Sequence, residues 1–104
     1  MDPAKPDINN IHISDVVVST AGRDTGDWFY VIAEDPIYLF LANGKDRTLD
    51  KPKRKKRKHV QKVLRSETRV AVKIQNGDKV LNGELRRDLA SLSRDMQSDD
   101  LGGF

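Results

Sequence analysis

Two short runs of β-branched and aromatic residues, with a glycine-containing loop between them, constrain the fold of this chain most. The runs are residues 15–20 and 28–32, and the intervening segment, here called the glycine loop, is residues 21–27, which read Ala-Gly-Arg-Asp-Thr-Gly-Asp. Apolar runs on either side of turn-forming residues predict a β-hairpin with a long connection. Because glycine tolerates positive φ, we expect Gly22 and Gly26 to adopt backbone conformations that would strain other residues.

Further short strands are expected later in the chain. Residues 37–42 form an apolar run bounded by turn signals, which predicts a buried strand. Asn43-Gly44 is the pattern typical of a two-residue hairpin, so residues 45–49 are expected to return as a fourth strand at an edge. Residues 59–64 are a candidate fifth strand that pairs with the first. Closely spaced short strands with tight turns indicate a small barrel or sandwich.

The C-terminal third of the chain favours helices. Ser66 is a candidate N-cap for a helix over residues 67–76, which Gly77 would end. Asn82 is the candidate cap of a second helix with an apolar stripe. The stripe consists of Leu85, Leu89, Leu92 and Met96. An isolated helix of this length is not stable in water, so we expect the stripe to pack on the barrel or the other helix, with a protein-binding face as the alternative.

The aromatic residues of the second run alternate along a strand. Alternation places Trp28 and Tyr30 on one face and Phe29 on the other, so we expect only one of these sets to be deeply buried. Phe29 is the expected core residue, whereas Trp28 fits either a core position or an exposed stacking surface. Tyr38, in the next apolar run, is a further candidate for stacking.

Basic residues are concentrated in one fifth of the chain. The net charge is −5 over residues 1–44, +9 over residues 45–65 and −1 over residues 66–104. Within the middle part, residues 51–58 hold seven basic side chains in eight positions. Such a cluster is either a solvated segment or a surface for a polyanion, and its position between predicted strands favours the second interpretation.

Five segments of the chain together carry a family resemblance. They are Ser14-Asp15-Val16-Val17, Ala21-Gly22-Arg23-Asp24-Thr25-Gly26, Trp28-Phe29-Tyr30-Val31-Ile32, Leu41-Ala42-Asn43-Gly44 and Lys51-Pro52-Lys53-Arg54-Lys55-Lys56. The strand–loop–strand unit resembles the KOW motif of ribosomal and transcription-associated proteins. Over residues 13–65 the chain is similar to bacterial KOW-domain RNA-binding proteins and, more remotely, to large-subunit ribosomal proteins of the L-fourteen-e type. This resemblance implies an SH3-like β-barrel that binds ribosomal RNA or another structured RNA.

The candidate RNA-binding residues lie in the glycine loop and in the basic part of the chain. They are Arg23, Lys45, Arg47, Lys51, Lys53, Arg54, Lys55, Lys56, Arg57, Lys58 and His59. Gly22 and Gly26 are the structural residues of the loop. For Arg23 and Asp24, two interpretations stay open: a functional contact, or a solvated arginine beside an aspartate that caps its own turn. His59 fits either a phosphate contact or the start of a strand.

Catalysis, metals and cofactors are not expected. The chain has no cysteine, which excludes disulfides and thiolate metal sites, and His12 and His59 have no ligand spacing around them. The Gly22-x-x-x-Gly26 segment lacks the Lys-Ser/Thr pair of a nucleotide-binding loop. No apolar run reaches the length of a membrane span, and the N-terminal residues lack the apolar region of a signal peptide. We therefore expect a cytoplasmic protein that makes no membrane contact.

The sequence thus predicts a mainly β protein with additional α structure. The expected parts are a flexible lead over residues 1–10, an SH3-like barrel over 11–65 that includes the basic segment 51–58, a helical hairpin over 66–98 and a frayed tail over 99–104. The expected function is non-catalytic RNA binding by a ribosome-associated protein, monomeric when free, that contacts ribosomal RNA and ribosomal proteins. The alternative is a protein-interaction module of the transcription or translation machinery, in which the basic run is a solvated linker or a targeting signal.

Overall fold

The runs on either side of the glycine loop form the central hairpin of one antiparallel sheet. The computed structural model describes residues 8–102, with the side chains of residues 8–96. The strands are β1 (Asp15–Ser19), β2 (Trp28–Glu34), β3 (Tyr38–Ala42), β4 (Lys53–Lys56) and β5 (Val60–Arg65). Their order in the sheet is β4-β3-β2-β1-β5. Strand β5 therefore pairs with β1, which confirms the predicted return of the fifth strand to the first.

The two glycines of the loop have the backbone conformation expected from the sequence. The φ angle is +88° at Gly22 and +92° at Gly26, in the region that side chains rarely allow. The Gly26 N–H donates to the Ser19 carbonyl oxygen at 2.9 Å and so closes the loop at the end of β1. Positive φ at both positions turns the chain out of one strand and back into the next.

The sheet is strongly curved. Strands β4 and β5 lie at its opposite edges, yet only the 3₁₀ turn Arg57–His59 joins them. Because so few residues span at most about 14 Å, the two edges must approach each other at that end. Two bulges permit the bend: Val63 of β5 is an extra residue opposite β1, and Ile32 of β2 is an extra residue opposite β3. No ladder joins β4 to β5 in the described part of the chain, so the sheet remains open.

The predicted position of the fourth strand, residues 45–49, is wrong, since β4 lies inside the basic segment. The side chain of Asn43 accepts hydrogen bonds from the backbone N–H groups of Lys45 (2.9 Å) and Arg47 (3.0 Å). The Leu49 N–H donates at 2.8 Å to a side chain at the start of the second helix. These backbone groups serve a turn and a helix contact, so a longer loop replaces the predicted two-residue hairpin.

The first helix begins two residues later than predicted. Helix α1 (Arg69–Asn76) is capped by Thr68, whose hydroxyl oxygen accepts a backbone hydrogen bond from the first turn at 3.2 Å. Ser66, the predicted cap, is buried and lies 2.8 Å from the Tyr30 hydroxyl. Gly77 ends the helix in the left-handed conformation, with φ +74°, as predicted.

In the second helix, α2 (Asn82–Gly102), the predicted cap Asn82 is the first helical residue, so this cap prediction is wrong. The Asn82 side chain accepts the hydrogen bond from Leu49 described above. The start of the helix is stabilised by Glu84, whose carboxylate accepts a hydrogen bond from the Leu81 N–H at 3.1 Å. This is the reach-back contact of a capping box without the usual hydroxyl partner.

Both predicted chain ends extend beyond the described residues. Of the lead, 1–10, residues 1–7 lie outside them, and Ile8–Asn10 form a 3₁₀ turn. Of the tail, 99–104, residues 103–104 lie outside them, and the backbone of the others continues α2.

Both faces of the sheet are buried, so the expectation that only one aromatic set is deep is wrong. Phe29 and Tyr30 point to opposite faces, yet only 1% and 0% of their surfaces are exposed. The inner core consists of Ile11, Val17, Phe29, Val31, Leu39, Leu41 and Val60. The second core consists of Val16, Tyr30, Ala42, Val70, Ala71, Leu85 and Leu89. The two helices cover the second face, which explains how neighbouring residues of β2 are both buried. Trp28 is half-buried against this second core.

A buried hydroxyl connects the sheet to both helices. The Tyr30 hydroxyl donates to the carboxylate of Asp88 in α2 and also contacts Ser66 (2.8 Å) and Thr68 (3.2 Å). Burial, together with the neighbouring Asp88 carboxylate, raises the pKa of Tyr30 to about 12. The hydroxyl therefore keeps its proton at neutral pH and remains a donor to α2.

Gly44 is expected to be the least replaceable of the positive-φ glycines. A Cβ atom at Gly44 would lie 2.1 Å from the Asn82 carbonyl oxygen, whereas a Cβ at Gly26 meets no atom within 4 Å. We predict that Gly26→Ala lowers the free energy of unfolding by about 1 kcal/mol through backbone strain alone. Gly44→Ala should lower it by at least about twice as much, because α2 must move as well. Denaturant titration of both variants measures the difference, and equal losses would contradict the close approach.

Candidate nucleic-acid interface

The basic segment forms the edge strand β4, and its side chains alternate between the two sides of the sheet. Lys53 and Lys55 pair across the ladder with buried leucines of β3 and therefore lie on the inner side. Only 7% of Lys55 is exposed. Arg54 and Lys56 lie on the other side and are exposed. One strand thus supplies two kinds of basic residue, inward and outward.

The glycine loop folds over the inward lysines. The Asp24 carboxylate accepts hydrogen bonds from Lys53 Nζ at 2.7 Å and from Lys55 Nζ at 2.6 Å. Lys55 Nζ also donates to the Ala21 carbonyl oxygen at 2.6 Å, and the Ser19 hydroxyl donates to Asp24 at 2.6 Å. The Asp24 side chain therefore joins the loop to β4 and does not cap its own turn. The loop and the basic strand form one continuous surface.

The electrostatics of this contact keep Asp24 ionised. Partial burial alone would raise the pKa of Asp24, but hydrogen bonds from Lys53, Lys55 and Ser19 hold it well below its usual range. The carboxylate offsets part of the charge of the two lysines. These lysines hold the loop in place, and the outward residues of β4 carry the exposed charge of the strand.

Arg57 is a second inward basic residue, with 6% of its surface exposed. Its guanidinium donates to three backbone carbonyl oxygens at 2.8 to 3.0 Å, and to Glu34 at 3.2 Å. These contacts tie the N-terminal 3₁₀ turn to the end of β2 and to the turn that follows. Arg57 and Lys55 were both predicted to bind RNA, and in the structure their charged groups are held by contacts within the protein.

An open groove with a volume of about 480 Å³ runs between the glycine loop and β4. It is lined by Ala21, Gly22, Tyr38, Lys53, Arg54, Lys55, Lys56 and His59. At its side, the guanidinium carbon of Arg54 lies 4.5 Å from the centre of the Tyr38 ring, in a cation–π contact. Residues predicted from two separate motifs, the glycine loop and the basic segment, thus line one groove.

The other predicted RNA contacts surround this groove unevenly. Arg23 and Lys58 are exposed and are direct chain neighbours of groove residues, and Lys51 is exposed just before β4. Lys45 and Arg47 are exposed in the loop between β3 and β4. Lys45 lines a separate groove beside α2, so the structure does not bring it to the first one.

Three exposed cations in the groove or beside it form no ion pair within the described part of the chain. Among the described residues, no carboxylate lies within ion-pair distance of Arg54, Lys56 or Lys58. The nearby acids pair with other residues: Asp24 with Lys53 and Lys55, Glu34 with His12 and Arg57, and Asp15 with Lys62. The outer side of β4 therefore presents exposed positive charge that no ion pair within residues 8–96 neutralises, and Arg54 has a longer-range electrostatic interaction with the Asp35 carboxylate.

The described residues form neither a metal cluster nor a membrane-spanning helix. Within residues 8–102, no group of three or more His, Asp or Glu side chains is arranged to hold a metal ion. In the same part of the chain, neither helix combines the length and apolar character needed to cross a membrane.

Comparisons with known proteins identify no family for the chain. A scan against protein-family models finds no match, and a search of curated proteins also finds none. The resemblance to KOW proteins thus rests on the chain's own residues, namely the strand–loop–strand unit and the basic segment after it.

The contact between Asp24 and its lysines predicts a pH-dependent stability. Because the pKa of Asp24 is lower in the folded than in the unfolded chain, its contribution is present above the unfolded value and is lost as the pH falls below about 4. At neutral pH, Asp24→Asn should lower the free energy of unfolding by about 1–3 kcal/mol, since it leaves inward lysines without their carboxylate. Denaturant titrations between neutral and acidic pH should show this deficit shrinking as the pH falls.

The matched control is Asp27→Asn, which makes the same change at an exposed residue of the same loop. It should show neither the deficit at neutral pH nor its loss in acid. A deficit for Asp24→Asn that stays constant down to the lowest pH would contradict the ion-pair account.

Proposed function

We propose that this protein binds RNA without catalysing a reaction and that the groove between the glycine loop and β4 is its binding surface. The observation that carries the proposal is the union of the two motifs: the loop is held to the basic strand by Asp24, and the outer side of that strand presents exposed cations. Cations without acidic partners release counterions from a phosphate backbone when they bind it.

RNA is the favoured nucleic acid for two reasons. Helix α2 is too balanced in charge for a DNA major groove, since residues 85–96 hold three arginines and two aspartates, and α1 packs on the sheet through Val70 and Ala71. A concave basic groove with an aromatic side chain suits RNA, which proteins recognise through its shape, its phosphates and its unstacked bases.

We further propose that the sheet is an SH3-like barrel of the KOW type. The supporting features are the five-stranded antiparallel order, the approach of the two edge strands at a 3₁₀ turn and the positive φ angles of Gly22 and Gly26. The KOW resemblance points to ribosomal RNA as the ligand and to ribosomal particles as the place of action. Ribosomal proteins are then additional partners.

The alternative is a protein-interaction module whose basic run is a solvated linker or a targeting signal. One observation favours it: a second groove beside α2 is lined by the half-buried Trp28 and by Met96, of which 42% is exposed. The basic run, however, supplies β4 and the turn after it, with two side chains buried. A run built into the sheet favours the RNA proposal.

The test is the salt dependence of binding to a single-stranded ribosomal RNA fragment. If about five side chains meet phosphates, the slope of log K against log salt should be about −3.5. The triple variant Arg54→Gln, Lys56→Gln, Lys58→Gln removes three of these contacts, so its slope should fall to about −1.4. In co-sedimentation, more of the unmodified protein than of the triple variant should pellet with ribosomal particles, and high salt should release the unmodified protein.

The matched control is the triple variant Arg86→Gln, Arg87→Gln, Arg94→Gln, which removes three exposed cations from α2. It changes the net charge equally and should leave the slope near that of the unmodified protein. Equal losses in both triple variants would show that net charge alone drives binding. A slope near zero for the unmodified protein would overturn the proposal, and salt-resistant binding to ribosomal particles would then favour the protein-interaction alternative.

A further inference from the structure

The groove contains a planar stacking surface in addition to its charge. The guanidinium of Arg54 lies over the Tyr38 ring, with its central carbon 4.5 Å from the ring centre. Both residues line the groove, and Arg54 is exposed. Contact with the ring limits the positions open to the guanidinium, whereas a free arginine side chain loses much rotamer freedom on binding.

The sheet register explains why Arg54 meets the Tyr38 ring at this position. Tyr38 pairs with Lys56 across the β3–β4 ladder, and Arg54 lies two residues away on the same side of the sheet. The long side chain of Arg54 spans this diagonal and reaches the ring. Lys56 is placed beside the ring, and His59 lines the same groove. A flat cation on an aromatic ring is therefore flanked by groups that bind phosphate.

We propose that this groove binds an unpaired nucleotide, with its base stacked on the Arg54 guanidinium and its phosphate beside Lys56 and His59. The inference rests on the proposed RNA binding and names the form of RNA that the groove selects. Unpaired bases stack on aromatic rings and on arginine planes, whereas bases in a duplex are already stacked on one another. The groove volume of about 480 Å³ also lies in the range of pockets that hold one small ligand, roughly 300–1,000 Å³.

The decisive variant is Arg54→Lys, which keeps the charge but replaces the planar group with a compact ammonium. Three probes of equal length are compared by fluorescence anisotropy: a single-stranded RNA, its blunt duplex, and an abasic strand with the same sugar–phosphate backbone. The unmodified protein should bind the single strand about tenfold more tightly than the abasic strand, since one stacked base contributes about this much. Arg54→Lys should lose about this factor on the single strand and nothing on the abasic strand or the duplex.

Two further variants complete the test. Tyr38→Leu removes the ring beneath the guanidinium and should give the same selective loss, with thermal melting to verify its fold. Arg94→Lys makes the same chemical change on α2, away from the groove, and should bind all three probes like the unmodified protein.

The outcomes separate this inference from the proposed function. If Arg54→Lys leaves the salt-dependent binding of every probe unchanged, or weakens it equally for all three, the stacked nucleotide is overturned. The proposed RNA binding is unaffected by that result. If the unmodified protein binds none of the probes in a salt-dependent way, the proposed function itself fails. A loss confined to the single-stranded RNA supports the stacked nucleotide.

Discussion

The groove of this protein depends on one carboxylate that holds a loop against an edge strand. Asp24 accepts hydrogen bonds from Lys53 and Lys55, and this contact fixes the glycine loop over β4. An edge strand of four consecutive cations would otherwise be destabilised by repulsion between like charges. Turning alternate lysines inward onto an aspartate relieves that repulsion and leaves the other residues of β4 exposed. The same contact therefore stabilises the fold and defines one wall of the groove.

The helices make the strand arrangement possible. A small five-stranded sheet with a single core has little apolar surface to bury. Here α1 and α2 cover the second face, and the Tyr30 hydroxyl connects that face to Asp88 of α2. The groove lies on the basic edge of the sheet, where β4 has no further strand beside it. The helix-covered face thus adds buried apolar surface, and the edge strand β4 supplies the exposed positive charge.

Local patterns in the sequence predicted the hairpin of β1 and β2, the positive φ at Gly22 and Gly26 and the end of α1 at Gly77. Strand β4 was misplaced because lysine-rich segments are unusual in strands, and because the Asn43 side chain and the start of α2 divert the loop before it. The sequence predicted the basic segment as a candidate site but not the inward direction of Lys55, which follows from the pairing of β4 with β3. Strand alternation applied to the basic segment would have predicted that direction.

The proposed RNA-binding groove requires the loop and the edge strand to act together. The most direct measurement is a two-dimensional ¹H–¹⁵N NMR titration of the unmodified protein with a single-stranded ribosomal RNA fragment. If both walls contact the RNA, the largest chemical-shift changes should fall on both walls at once, at Ala21 and Gly22 of the loop and at Arg54 and Lys56 of β4, with only small changes along α2. Largest changes on α2 or in the groove beside Trp28 would contradict the proposed groove.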